Sequence, residues 1–130
     1  MAFNAAEQEI LDLTHQLLRS IAEADWEAYE SLCDTSLTCF EPEARGQLVQ
    51  GLAFHRFYFQ WGAAKKGHET TICSPSIRVS GDLALIAYIR LNQRITAENS
   101  PKETAVEETR VWQRIAGKWR HVHFHRSPLG

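Results

Sequence analysis

Near the start of the chain Ile10, Thr14, Leu17 and Ile21 fall at helical spacing, and Leu11, Leu13 and Leu18 widen the stripe. That period predicts a long amphipathic helix over residues 5–22. Asn4, three residues before Glu7, supplies an N-cap with its box partner. A shorter helix follows Asp25, which can cap it, with Trp26, Tyr29, Leu32 and Cys33 on one side. Leu37–Phe40 reads as a strand that Pro42 soon ends. From Leu52 to Trp61 the pattern is helical again but apolar around most of its girth. Phe54, Phe57, Tyr58 and Trp61 share one face, while Leu52, His55 and Phe59 occupy a neighbouring side. A helix of that kind is either deeply buried or shared with another subunit. Gly62 and Gly67 bracket its exit loop.

The period then changes to two. Thr70–Cys73 and Ser76–Val79 flank Pro75, and Gly81-Asp82 turns the chain into a long strand, Leu83–Ile95. One face of that strand carries Leu83, Leu85, Ala87, Ile89 and Leu91, the other Ala84, Ile86, Tyr88 and Arg90. With both faces largely apolar, it is expected to be covered on both sides. A loop at Asn99-Ser100-Pro101 leads to strands Glu107–Ile115 and Lys118–Arg126, joined by Ala116-Gly117. Helices first and an antiparallel meander after them predict an α+β layer architecture in one domain, residues 1–130.

Arginines interrupt this pattern. Arg110 shares its strand face with Trp112, and Arg126 shares its face with Val122 and Phe124, because alternate side chains point the same way. Arg90 stands on the face of Ile86 and Tyr88. A guanidinium among apolar neighbours must be paired, bind an anion or line a wet cavity. Two readings follow. Glu107, Glu108, Glu41 or Glu43 neutralises the three as a structural network, or the three converge on a cavity wall that forks onto a small carboxylate.

Composition narrows the function classes. A net charge of -2 excludes a general nucleic-acid or membrane binder, which carries a basic stripe. Met1–Ala5 shows no secretory leader, no apolar run is long enough to span a bilayer, and a cytoplasmic protein is expected. Cys33, Cys39 and Cys73 are an odd set without Cys-x-x-Cys spacing, which reads as reduced, partly buried thiols. His121, His123 and His125 occupy alternate positions and are expected on one face of the last strand. Such a ladder can hold zinc or copper through neutral imidazoles, but no carboxylate or cysteine lies nearby in sequence, and neither metal nor cofactor is expected. His55, among aromatics, reads as a packed or interface histidine rather than an acid or base. No triad signature, P-loop or dinucleotide fingerprint is present.

Several stretches are more specific. LTCFEPEA (Leu37–Ala44), GQLVQG (Gly46–Gly51), FHRFYF (Phe54–Phe59), IAYIRL (Ile86–Leu91), EETRVW (Glu107–Trp112), and GKW with VHFHRS (Gly117–Ser127) resemble the association (hub) domain of calcium/calmodulin-dependent protein kinase type II over nearly the whole chain. The resemblance implies a cone-shaped nuclear transport factor 2-like fold, with the long N-terminal helix packed in a strongly curved antiparallel sheet. It implies self-assembly into a homo-oligomer: stacked rings, a dodecamer or tetradecamer, with a dimer as building block. It also implies an arginine-lined pocket for small carboxylates, carried over to Arg90, Arg110, Arg126 and His55, with Tyr29 as a further lining residue. No kinase catalytic segment is present, so a stand-alone hub without kinase activity is expected. The loop Gly62–Glu69 is expected to be shorter than in animal hubs, shifting the role of Trp61. The alternatives are a cone-fold isomerase, dehydratase or cyclase, with His55 as base and an arginine stabilising the enolate, and capture of an acidic peptide tail in the same mouth.

Overall fold

The computed structural model describes residues 2–62 and 68–129, so Gly67 and most of the loop expected to be short lie outside the described residues. Helix α1 runs Ala5–Ala22 and starts with the expected box. The Glu7 amide donates to Asn4 Oδ1 (2.8 Å), and the Asn4 amide donates to Glu7 Oε1 (2.9 Å). Ile10, Thr14, Leu17 and Leu18 form its buried face. Helix α2, Trp26–Leu32, is capped by Asp25, whose carboxylate accepts from the Ala28 amide. Helix α3, Ala53–Phe59, is shorter than its apolar run suggests.

Six strands follow one another as β1 (Cys33–Phe40), β2 (Val49–Gln50), β3 (Glu69–Ser80), β4 (Leu83–Ile95), β5 (Pro101–Ile115) and β6 (Lys118–Pro128). They form one sheet in the order β2-β1-β6-β5-β4-β3. The β1–β6 pair is parallel, so the sheet is mixed rather than wholly antiparallel. Pro75 does not divide β3 into two strands. The ladder to β4 slips between Cys73 and Ser76, and Ser74 takes a left-handed φ of 51°, which absorbs the extra residues as a bulge. β5 begins at Pro101, not Glu107, because its polar first half pairs with the end of β4, up to Ile95↔Pro101.

A second irregularity changes which histidines meet. Val111 pairs with His123 and Trp112 with His121, so Val122 is the unpaired residue of a bulge in β6. Trp119 and His121 are therefore buried before the bulge and Phe124 after it, while His125 is exposed and His123 only half-buried. The three histidines do not share a face, and Val122 sits at the break in the pattern instead of beside Phe124.

Helix α1 lies over the inner face of this sheet. The Trp112 indole donates to Thr14 Oγ1 (3.2 Å), and the Trp119 indole donates to Glu9 Oε1 (3.1 Å). Ile86, Ala84 and Tyr88 of β4 join that core. Among the described residues nothing fully covers the other face of β4: Leu83 and Leu85 are exposed and Ala87, Ile89 and Leu91 half-buried. Helix α3 divides in the same way. His55 is buried and Phe59 half-buried, whereas Phe57 and Tyr58, with Trp61 just beyond the helix end, stand in solvent, Trp61 with 75% of its surface exposed.

An arginine-lined cavity as the candidate functional site

The inner face of the sheet, α2 and α3 enclose a cavity of about 280 Å³. Arg90 comes from β4, Arg110 from β5, and Phe124 and Arg126 from β6. Tyr29 and His55 close it from α2 and α3, and Glu41 and Glu43 from the turn after β1. All five residues singled out in the sequence thus stand around one space.

Register explains the convergence. Tyr88 pairs with Glu108 and Ile86 with Arg110 across β4 and β5, while Arg110 faces Phe124 and Glu108 faces Arg126 across β5 and β6. These residues share the inner face because paired positions point the same way. The Arg110 guanidinium lies 4.5 Å from the Phe124 ring centre, at cation–π distance.

The arginines are not bare. Arg90 Nη1 donates to Glu108 Oε2 (3.1 Å) and Arg110 Nη2 to Glu108 Oε1 (3.2 Å). Arg110 Nε donates to the Tyr88 hydroxyl (2.9 Å), which in turn donates to Glu108 (2.5 Å). Arg126 Nη2 reaches Glu41 Oε2 at 3.2 Å and also contacts Glu43. Three guanidinium groups therefore meet three carboxylates, as the reading of a neutralising network expects, and a hollow remains between them. Among the described residues, Arg90 Nε is the one buried side-chain polar atom without a partner. Glu107, by contrast, is exposed.

Ionisation follows from this network. Burial would raise the Glu108 carboxyl, but Arg110 and Arg90 outweigh it and hold the group at about 2. Burial raises Glu41, with Arg126 opposing, whereas at Glu43 the effect of burial is overcome by the hydrogen bond from Arg126 and the group falls below its ordinary range. His55 is pushed down to about 4 by burial and by Arg110 and Arg126. His121 is held well below its usual value by burial and Arg110. Its tautomer is fixed. Arg110 Nη1 can only donate, so His121 Nε2, 3.4 Å away, accepts, and Nδ1–H faces Cys33 Sγ at 3.5 Å.

Sequence reasoning missed Tyr88, Cys39 and His121 as neighbours of this cavity. Tyr88 was within reach, since it shares the Arg90 face; Cys39 and His121 depend on a helix contact and a bulge. Cys39 Sγ lies 3.7 Å from His55 Nε2, and His55 Nδ1 lies 3.5 Å from Glu41 Oε1. One ligand atom from each of the three lies within 4.8 Å of the other two.

A second, shallower groove of about 420 Å³ lies outside the first. Phe40, Pro42, Gly46, Gln47 and His125 contribute to it, and Glu41 and Arg126 belong to the walls of both spaces.

A long first helix over a six-stranded sheet, with a polar pocket at one end, is the nuclear transport factor 2-like α+β fold. A Salmonella enterica protein of that superfamily shares the fold at a TM-score of 0.76 and 22% identity, covering 95% of this chain and 91% of its own. Residues 6–130 match the calcium/calmodulin dependent protein kinase II association domain. The rabbit (Oryctolagus cuniculus) delta subunit of that kinase is 51% identical over 126 residues, 95% of this chain and 24% of the kinase subunit. The association domain of the C. elegans kinase superposes with a TM-score of 0.89 at 43% identity, covering 95% of this chain and 99% of that one. The chain belongs to the calcium/calmodulin-dependent protein kinase II association-domain family. It spans about a quarter of the length of the curated relative it matches. Among the described residues no helix is long and apolar enough to cross a membrane.

Proposed function

We propose that the chain assembles with copies of itself into a closed ring, in stacked tiers of a dodecamer or tetradecamer with a dimer as the unit. Family membership supports self-association, and the aromatic face that α3 leaves in solvent is the observation that carries the ring. Phe57 at 52%, Tyr58 at 44% and Trp61 at 75% exposure form a contiguous apolar surface that a lone soluble domain seldom leaves bare. A ring needs a heterologous contact around the circle and an isologous one between tiers, and the uncovered side of β4 offers a second surface for that purpose. Native mass measurement is expected to give one closed assembly, and Phe57→Ser with Trp61→Ser is expected to reduce it to smaller species. A monomer at micromolar concentration for the unaltered chain removes this reading.

A second observation favours a ligand role for the cavity. Its volume suits a small organic acid and lies just under the ~300–1,000 Å³ of drug-sized sites. Arg126 is the exchangeable cation, since its side chain is 21% exposed against 2% for Arg110, and Arg90 Nε has a hydrogen bond left to give. A small carboxylate entering here takes Arg126 from its glutamates and closes onto Arg90. Titration calorimetry with two- to six-carbon aliphatic acids tests this. Arg126→Gln is expected to weaken binding by about tenfold or more, the worth of a charge-assisted hydrogen bond. Equal binding by variant and parent removes the pocket from consideration.

A further inference from the structure

The meeting of Cys39, Glu41 and His55 has no role in either reading above. Cys39 and Glu41 stand two apart at the end of β1, and His55 comes from α3. Their side chains are almost wholly withdrawn from water: Cys39 is fully buried, and Glu41 and His55 keep 9% and 7% of their side-chain surface. We propose that these three residues form a binding site for a zinc-class divalent cation, held by Cys39 Sγ, His55 Nε2 and the Glu41 carboxylate.

Spacing supports the assignment. Zinc–sulfur and zinc–nitrogen bonds of about 2.3 and 2.0–2.1 Å, set at a tetrahedral angle, place sulfur and nitrogen roughly 3.6 Å apart. Cys39 Sγ and His55 Nε2 are 3.7 Å apart, and Glu41 closes the triangle within 4.8 Å. The donor set is also selective. Thiolate with imidazole favours zinc over magnesium or calcium, which prefer oxygen ligands.

The surroundings fit a dication as well. Glu41 turns Oε1 to the His55 ring, 3.5 Å from its Nδ1, and gives Oε2 to Arg126, so its second oxygen is already oriented by an outer partner. Tyr29, Phe54 and Phe124 pack their rings around the His55 imidazole and fix it in place. Arg110 and Arg126 repel a cation here, as they oppose protonation of His55, and their pairing with carboxylates lessens that repulsion. Once Cys39 is ionised, thiolate and carboxylate together offer two negative charges to the ion. The balance is simple: the cation forms a bond to sulfur, the S–H bond breaks, and one proton leaves to solvent. A thiol carries its proton near neutral pH, so that proton is present to be released. Glu41 and His55 also line the cavity, and a fourth ligand, water or a bound carboxylate, reaches the ion from there.

Cobalt(II) titration of the purified protein tests the site, because thiolate-to-cobalt charge transfer marks a cysteine ligand by a near-ultraviolet band. Saturation is expected at about one equivalent per chain, with loss of the band on adding zinc. Cys39→Ser is expected to abolish it, while Cys33→Ser, Cys73→Ser and a His123→Asn, His125→Asn double variant leave it intact. Calorimetry on the unaltered chain in two buffers of different ionisation enthalpy gives a second reading independent of any substitution: about one proton released per zinc. Absence of the band, its survival in Cys39→Ser, its loss in the His123/His125 variant, or zinc uptake without proton release overturns the proposal. None of these outcomes depends on whether the chain forms rings or binds an acid.

Discussion

Replacing Glu108 with glutamine keeps the size and shape of the side chain but removes the charge that two guanidinium groups share. Arg110, 2% exposed, then has no carboxylate, and Arg90 loses its one anionic partner among the described residues. The cost can be worked from the ionisation of Glu108. A carboxyl at about 2 in place of 4.5 is favoured in its charged form by roughly 3 kcal/mol, at about 1.36 kcal/mol for each tenfold change in acidity. Breaking a buried pair by removing one partner typically costs about 3–5 kcal/mol, the same order of magnitude. The assay is urea unfolding at fixed protomer concentration, since assembly makes apparent stability depend on concentration. Its pH dependence gives the sharper reading. A depressed carboxyl contributes stability that is complete above 4.5 and is lost as pH falls from 4.5 through about 2. The gap between parent and Glu108→Gln is therefore expected to be about 3 kcal/mol at pH 7 and to close as pH falls toward 2. A loss under about 1 kcal/mol at pH 7, or a gap that does not change with pH, refutes the idea that Glu108 holds the two arginines in place.

Two further perturbations probe the core and the neutral histidines. Thr14→Val leaves the Trp112 indole N–H without its acceptor in a dry core, and thermal unfolding is expected to show a loss of about 1–2 kcal/mol; no change would place water at that position. His55 and His121 are held neutral by the fold while the unfolded chain protonates near 6.5, so stability is complete above 6.5 and falls as the pH drops below it. His55 alone is expected to cost about 2 kcal/mol between pH 7 and 5, a range above the titration of Glu108, and a flat urea midpoint there contradicts its burial as a neutral ring.

Local periodicity read the helices and most strands because each depends on neighbours three, four or two positions away. The α1 face and its Asn4–Glu7 box are where the spacing put them. Strand parity also placed Arg90 and Arg110 on the inner face, and the cross-strand ladder put Glu108 between them. The histidine ladder failed for a definite reason: the bulge residue is Val122, which carries no glycine or proline to mark it, and one unpaired residue separates His121 from His123. The parallel β1–β6 pair and the approach of Cys39 to His55 were equally hidden, because each joins segments whose sequences say nothing about one another. The bare outer side of β4 looked like a core strand, since apolarity alone does not tell an exposed face from a buried one.

The partition formed by Glu41 and Arg126 has a practical consequence for anyone altering this domain. Because the same two side chains bound the inner hollow and the outer groove, a substitution at either one reshapes an interior compartment and an external contour in a single stroke. A change in the hollow and a change in the groove then arrive together in one variant. Arg90 borders the interior alone and separates the two.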